Sequence, residues 1–278
     1  VLYQAKKAIL VLFLHIFLMS VALSCVFPFI WMINVSFQTP AEYDADYGLK
    51  ITKSLNWENY KTVVIKHKFW RYFLNSLFYT FTTVTLIVMI TSLAAFGFSR
   101  LQFPGRNLIF YLFLAAMMVP LPAGFVPVYT MLKNFGLLNR IGYIIAQVNI
   151  GLSISIYLLK TFFDQLPRDL EDAARIDGCS KLQIWWHVGI PLVTPALGVV
   201  IIFNALAVWN EFVLASLMFR DDSFLPLQVG LVQFAGLEVT QHTLVMAALT
   251  VAALPIILLY IRMQKQFVKG LTAGAVVG

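Results

Sequence analysis

Few of the residues able to perform chemistry stand close together in this chain. The four histidines, His15, His67, His187 and His242, are scattered, and no two have the short spacing of a metal site. Cys25 lies in an apolar run and Cys179 in a charged one, so no bridge between them is expected. A phosphate loop of the form GxxxxGK followed by Ser or Thr is missing, so the chain is not expected to bind nucleotide by itself. Neither the nucleophile–base pair of a membrane-embedded enzyme nor the filter loop or charged ring of an ion channel is evident. Two features remain. One is the charged island Asp164 to Pro191, DQLPRDLEDAARIDGCSKLQIWWHVGIP, and the other is Glu211 inside an apolar run. A carboxylate at mid-bilayer costs about 2.5 to 3.5 kcal/mol on insertion scales and is functional by default.

The elements that must position these residues follow from composition. With 60% hydrophobic and only 12% charged residues over 278 positions, the chain is an all-α polytopic membrane protein. A single transmembrane domain over 1–278 is expected, with spans at about 8–35, 72–98, 108–132, 141–163, 192–219 and 244–263, the island at 164–191 and a tail at 264–278. The first run follows Lys6 and Lys7 and lacks a small-residue cleavage site, so it reads as a retained helix. Pro120, Pro122 and Pro127 predict a kink or local unwinding in the third span. The net charge of +7 is read as orientation signal and attraction to anionic lipid; nucleic acid is not an expected partner.

Six spans place the amino terminus, the turn at 99–107, the island and the tail on one side. That side carries eleven Lys and Arg of the total of 20, leaving nine opposite. Six of those nine fall in the long loop after the first span; without that loop the ratio is eleven to three, which makes the island and both termini cytoplasmic.

Within the island, Pro167 suits a first helical turn, Asp169, Glu171 and Asp172 complement its positive end, and Gly178 suits a left-handed cap. A short helix from Arg168 to Asp177 is predicted. Ser180 and Gln183 have capping-box spacing and open a second helix through about Val188, with Trp185 and Trp186 suited to the membrane interface. Leu170, Ala173, Ala174 and Asp177 share one face of the first helix. That pattern serves equally a helix lying on the lipid surface and a docking surface for a partner.

The run Asp172, Ala173, Ala174, Asp177, Gly178, followed by Val188, Ile190 and Pro191, resembles the "EAA" loop of binding-protein-dependent ABC importer permeases. Asp172 stands where that family usually has glutamate, with Glu171 beside it. Asn75 and Ser76, the FPGR run at 103–106, WNEF at 209–212, PLQVGL at 226–231 and the glycine-rich tail are similar to the carbohydrate-uptake, maltose-type branch; Val277 departs where relatives often carry lysine.

The resemblance implies the type I importer fold. It implies a second homologous permease subunit in a heterodimer, two ATPase subunits carrying ATP and Mg, an extracytoplasmic solute-binding protein, and no cofactor on this chain. It further implies that Glu171, Asp172, Ala173, Ala174, Arg175, Asp177 and Gly178 couple to an ATPase subunit. Gly270, Leu271, Thr272 and Gly274 in the tail would reach the ATPases, the alternative being a disordered terminus. The expected function is ATP-driven import of a carbohydrate, an oligosaccharide, by alternating access across a bacterial or archaeal cytoplasmic membrane. The alternative cargo is anionic, such as uronic-acid oligomers or a glycerol phosphate compound; the basic stretch Lys61 to Arg71 would attract such a solute or an acidic binding-protein surface, the alternative being a cationic stretch that faces lipid headgroups. Candidate pathway residues are Asn149, Asn204, Asn210 and Glu211, the alternative for the amides being packing between helices.

Overall fold

The computed structural model describes the backbone of residues 2–52, 55–238 and 241–275; the side chains of 2–5, 8 and 266–275 lie outside the described set. The helices in chain order are α1 (Leu2–Ser36), α2 (Pro40–Asp46), α3 (Glu58–Lys61), α4 (Phe69–Arg100), α5 (Arg106–Ala116), α6 (Leu121–Asn134), α7 (Arg140–Gln165), α8 (Asp169–Ile176), α9 (Lys181–Ile184), α10 (Ile190–Leu192), α11 (Thr194–Trp209), α12 (Val213–Met218), α13 (Leu227–Leu237) and α14 (His242–Ala275). Among the described residues, single helices long and apolar enough to cross a membrane lie at 9–36, 69–100, 140–165 and 242–265. Two bent pairs, α5 with α6 (105°) and Lys181–Leu192 with α11 (79°), raise the possible spans from four to six.

Both bends have local causes. In the first, Pro120 takes an extended backbone at φ −65°, ψ 129° and caps α6, whose first turn holds Pro122; α5 has already ended at Ala116. The prolines thus break the expected 108–132 span instead of bending one continuous helix. In the second, Pro195 opens α11 and the Thr194 hydroxyl donates to the Pro191 carbonyl at 2.8 Å, so helix direction changes around Val193. The span expected at 192–219 stops at Trp209 and resumes as the short α12, and the helix expected at 244–263 runs from His242 to Ala275.

The chain divides into two compact units, Val1–Trp70 with Leu231–Ala253, and Arg71–Gly230 with Leu254–Gly278. In the first unit, the segment after α1 is built on buried amides instead of being a plain polar loop. Asn59 Nδ2 donates to the carbonyls of Ser36 (2.9 Å) and Gln38 (2.8 Å), and Asn34 joins the Lys50 carbonyl (2.9 Å) to the Thr52 amide (2.9 Å). Thr39 and Glu42 form a capping box that starts α2. His67 packs edge-on against Phe234 and stands 4.0 Å from Glu238, so the basic stretch at 61–71 has an acid beside it that is remote in sequence.

In the second unit, α4, α7 and α11 surround a core that includes Ile87, Tyr143, Leu159, Phe163, Val200 and Leu214. At one end of this unit Asn75 Nδ2 donates to the carbonyls of Ser223 (2.8 Å) and Leu225 (3.0 Å), Ser76 Oγ accepts from the Leu227 amide (2.7 Å), and the Tyr79 hydroxyl donates to the Phe224 carbonyl (2.9 Å). Arg140 donates to Asn75 Oδ1 (3.2 Å) and lies 4.9 Å from the Phe224 ring centre. The same loop is shaped by exposed Asp221, which accepts from the Ser223 amide at 2.8 Å; that bond holds its carboxyl below the usual carboxylate range. Asn75→Ala orphans two carbonyls of this clamp, a loss of about 1–3 kcal/mol, and is expected to speed amide exchange across residues 223–227 while α7 exchange is unchanged.

Candidate functional site

The island forms a helix, a tight turn and a second helix. Helix α8 runs Asp169–Ile176, with Asp169, Glu171 and Asp172 in its first turn. It closes on Gly178 at φ 86°, where the Cys179 amide donates to the Ala174 carbonyl (3.0 Å) and the Gly178 amide to the Arg175 carbonyl (3.1 Å). This is the paired bonding of a left-handed glycine cap. Ser180 and Gln183 then bond reciprocally, Ser180 N to Gln183 Oε1 at 2.7 Å and Gln183 N to Ser180 Oγ at 3.4 Å. The helix they open soon widens into a π turn, Trp185–Gly189.

The faces of α8 are divided differently from the sequence pattern. Asp172, Ala173, Arg175, Asp177 and Gly178 are exposed, Ala174 is half-buried against the core, and Asp172 already receives Arg175 Nη1 at 2.7 Å. Ile176 is 87% exposed and, with Leu170 and Ala173, leaves an apolar stripe open on the outside. The sequence pattern missed Ile176, although it follows Ala173 by three residues, the spacing that keeps one helix face.

Of the expected docking residues, Glu171 points inward and pairs with Arg100 Nε at the end of α4, where the two side chains are 11% and 6% exposed. A carboxylate so enclosed needs a cation. Trp185 departs from the expected interfacial pair: it is buried in the core, whereas Trp186, the next residue and so on a different helix face, remains half-exposed, the two rings packing 5.5 Å apart.

The expected pathway residues are not brought together. Asn204 is buried and donates to Ser155 Oγ (2.9 Å) and the Val200 carbonyl (2.8 Å), so it joins α11 to α7. Glu211 sits in the break between α11 and α12, accepting from the Tyr143 hydroxyl (2.9 Å) and from the amides of Leu214 (2.5 Å) and Ala215 (3.1 Å). It satisfies the donors that the break frees, which gives the charge a structural role. Asn210 is exposed and accepts from Gln228 Nε2 at 3.2 Å. Asn149 lines a cavity, a space of about 490 Å³ beside the α5–α6 bend whose other walls include Phe113, Phe125, Ser153 and Leu214. No charged residue lines it.

Gly270, Leu271, Thr272 and Gly274 lie on the backbone of α14, but their side chains, and all of 276–278, fall outside the described residues. No group of three or more His, Cys, Asp or Glu among the described residues could hold a metal ion.

With this geometry in hand, the comparisons with known proteins are specific. Residues 66–273 match the family described as "Binding-protein-dependent transport system inner membrane component". The diacetylchitobiose uptake system permease protein NgcG of Streptomyces coelicolor is 30% identical over 94% of this chain and 87% of its own length. The polygalacturonan/rhamnogalacturonan transport system permease protein YtcP of Bacillus subtilis is 30% identical over 98% of this chain and 100% of its own. A chain in the crystal structure of a bacterial ABC transporter involved in the import of the acidic polysaccharide alginate superposes with a TM-score of 0.82 at 27% identity, covering 94% of this chain and 98% of that one. The chain therefore belongs to the inner membrane components of binding-protein-dependent transport systems: it is a multi-pass ABC transporter permease, a transport subunit whose ATPase is a separate component.

Proposed function

We propose that this permease carries an oligosaccharide into the cytoplasm by alternating access, with α8 as the coupling helix seated on an ATPase subunit. The relatives above are named for diacetylchitobiose, polygalacturonan/rhamnogalacturonan and alginate, and that shared carbohydrate chemistry supports the cargo class. The observation that carries the finer choice is the cavity beside the α5–α6 bend. Its walls are apolar and aromatic with two polar side chains, Asn149 and Ser153, and no cation. Such a surface suits a neutral sugar, whose C–H faces pack on Phe113 and Phe125 while hydroxyls meet the amide. A carboxylated chain entering it would lose hydration with no charge to compensate on this subunit.

In this reading the subunit pairs with a second, homologous permease. Two ATPase subunits carrying ATP and Mg sit on the cytoplasmic side, both termini face that side, and a binding protein delivers solute from outside. The tail at 270–274 extends toward the ATPases. An anionic cargo has two observations in its favour: the exposed Lys66 and Lys68, and the similarity to the alginate transporter and to YtcP, both named for acidic polysaccharides. The two cargoes separate in proteoliposomes holding the assembled transporter and its binding protein, offered labelled neutral oligosaccharides or uronic-acid oligomers. Uptake of the neutral set is expected, with Asn149→Leu slowing it by about tenfold, the worth of one lost polar contact of about 1.4 kcal/mol. Preferential uptake of the acidic set, lost on charge reversal of Lys66 and Lys68, would give the other answer.

A further inference from the structure

The ion pair between Arg100 and Glu171 joins groups 71 residues apart and is the centre of a larger brace. From the last residue of α4, Arg100 reaches three groups: Glu171 on α8, the Leu166 carbonyl just past the end of α7 (Nη2, 2.9 Å), and Ser99 Oγ (Nη1, 3.2 Å). Ser99 in turn donates to Asp164 Oδ1 at 2.6 Å, and Lys160 Nζ meets Asp164 Oδ2 at 2.6 Å. The ends of two long helices and the island helix are thus tied through one planar guanidinium. Its fixed fork suits simultaneous donation in several directions, which a flexible ammonium does not match.

We propose that Arg100, acting through Glu171, is the positioning residue that makes α8 and the long helix α4 move as one body, so that displacement of α8 by the ATPase reaches the membrane-spanning segment undiminished. This rests on the reading of α8 as the coupling helix. Apart from the brace, α8 is fastened by its flanking turns and by the packing of Ala174 on the core. Both allow an eight-residue helix to rock, whereas the buried pair fixes its rotation and its distance from α4. With both side chains enclosed, the pair is screened by salt much less than an exposed one.

The test uses the assembled transporter in lipid nanodiscs, with Cys25 and Cys179 replaced by serine and spin labels on Asp169→Cys and Phe81→Cys. Both label positions are exposed, one on α8 and one in α4. The inter-label distance is measured in the nucleotide-free and the ATP–vanadate-trapped states. The unaltered pair is expected to give one narrow distance that is the same in both. Glu171→Gln is expected to broaden it to about twice its width and shift it on trapping, the sign of two bodies instead of one. Arg100→Lys, which keeps the charge and loses the fork, is expected to fall between the two. It also carries the test if Glu171→Gln does not assemble.

A distance as narrow and invariant in Glu171→Gln or Arg100→Lys as in the parent would overturn the proposal. Reduced assembly with an unchanged distance would do the same, since a role in stability alone predicts that outcome. The coupling reading is checked separately by cross-linking from Asp169→Cys to the ATPase subunit in the parent. Absence of that cross-link removes the reading itself, whatever the distances show.

Discussion

Ile176→Asp is expected to abolish uptake and release the ATPase subunits while leaving the permease folded in the membrane. The side chain is 87% exposed, so its replacement removes almost no contact within the chain, and surface substitutions of that kind stay within about ±0.5 kcal/mol of the parent. An exposed isoleucine between Arg175 and Asp177, in line with Ala173 and Leu170, is on the other hand what a docked partner would cover. A carboxylate there would be buried unpaired on docking, and the loss of association is expected to be on the order of 100-fold, or about 2.7 kcal/mol. Copurification of the ATPase with the tagged permease measures it, alongside uptake. Undiminished copurification would mean that α8 does not seat on the ATPase. Ala173→Trp is expected to reach the same endpoint by bulk, since an indole at that exposed position prevents close approach.

Gly151→Leu is expected to cause a large loss of stability in the helix core. Gly151 lies where α7 crosses α4 and α11, and even a methyl group built on it would overlap the Asn204 side chain and the Ile87 Cδ1 atom. A leucine must therefore push the helices apart and take Asn204 from its 2.9 Å bond with Ser155. Overpacking of this kind costs about 1–3 kcal/mol, and loss of the interhelical hydrogen bond adds roughly 0.6 to 1.7. Together these correspond to a fall in midpoint temperature of about 3–19 °C for a chain of this size, read by thermal unfolding of the solubilised protein. Gly97→Ala is the control. A methyl group at Gly97 meets nothing within 4 Å, and exchanging glycine for alanine in a helix interior favours the helix, so its midpoint is expected to hold or rise.

Composition and local pattern carried the class of the protein and its helices. A chain with 12% charged residues and long apolar runs has little alternative to membrane-spanning helices, because hydrocarbon satisfies no backbone donor or acceptor. The ends of α8 and the start of α9 were legible for a related reason. Caps act over three to six residues, so Gly178, Ser180 and Gln183 announce in order the bonds that they make. The prolines at 120 and 122 marked the position of the α5–α6 break but not its 105° angle, since the direction taken after a break depends on what the second half packs against.

The inward or outward aspect of each side chain was decided by contacts between segments far apart in sequence. Glu171 and Asp172 are adjacent carboxylates, equally fit for a docking face; Arg100, 71 residues earlier, turns one of them inward and leaves the other to Arg175. Trp185 and Trp186 are the same residue type, yet packing on a core of distant segments buries one and leaves the other half-exposed. Asn204 and Glu211 have the polarity of pathway residues, but Ser155 and Tyr143 on α7 take up their bonding capacity within the bundle. Residue type and short spacing set what each group is able to bond, and so they carry the membrane class, the helix ends and the motif. Which partner a group finds depends on bringing distant helices together, because the stabilisation of a buried charge or amide resides in the pair and not in either residue alone.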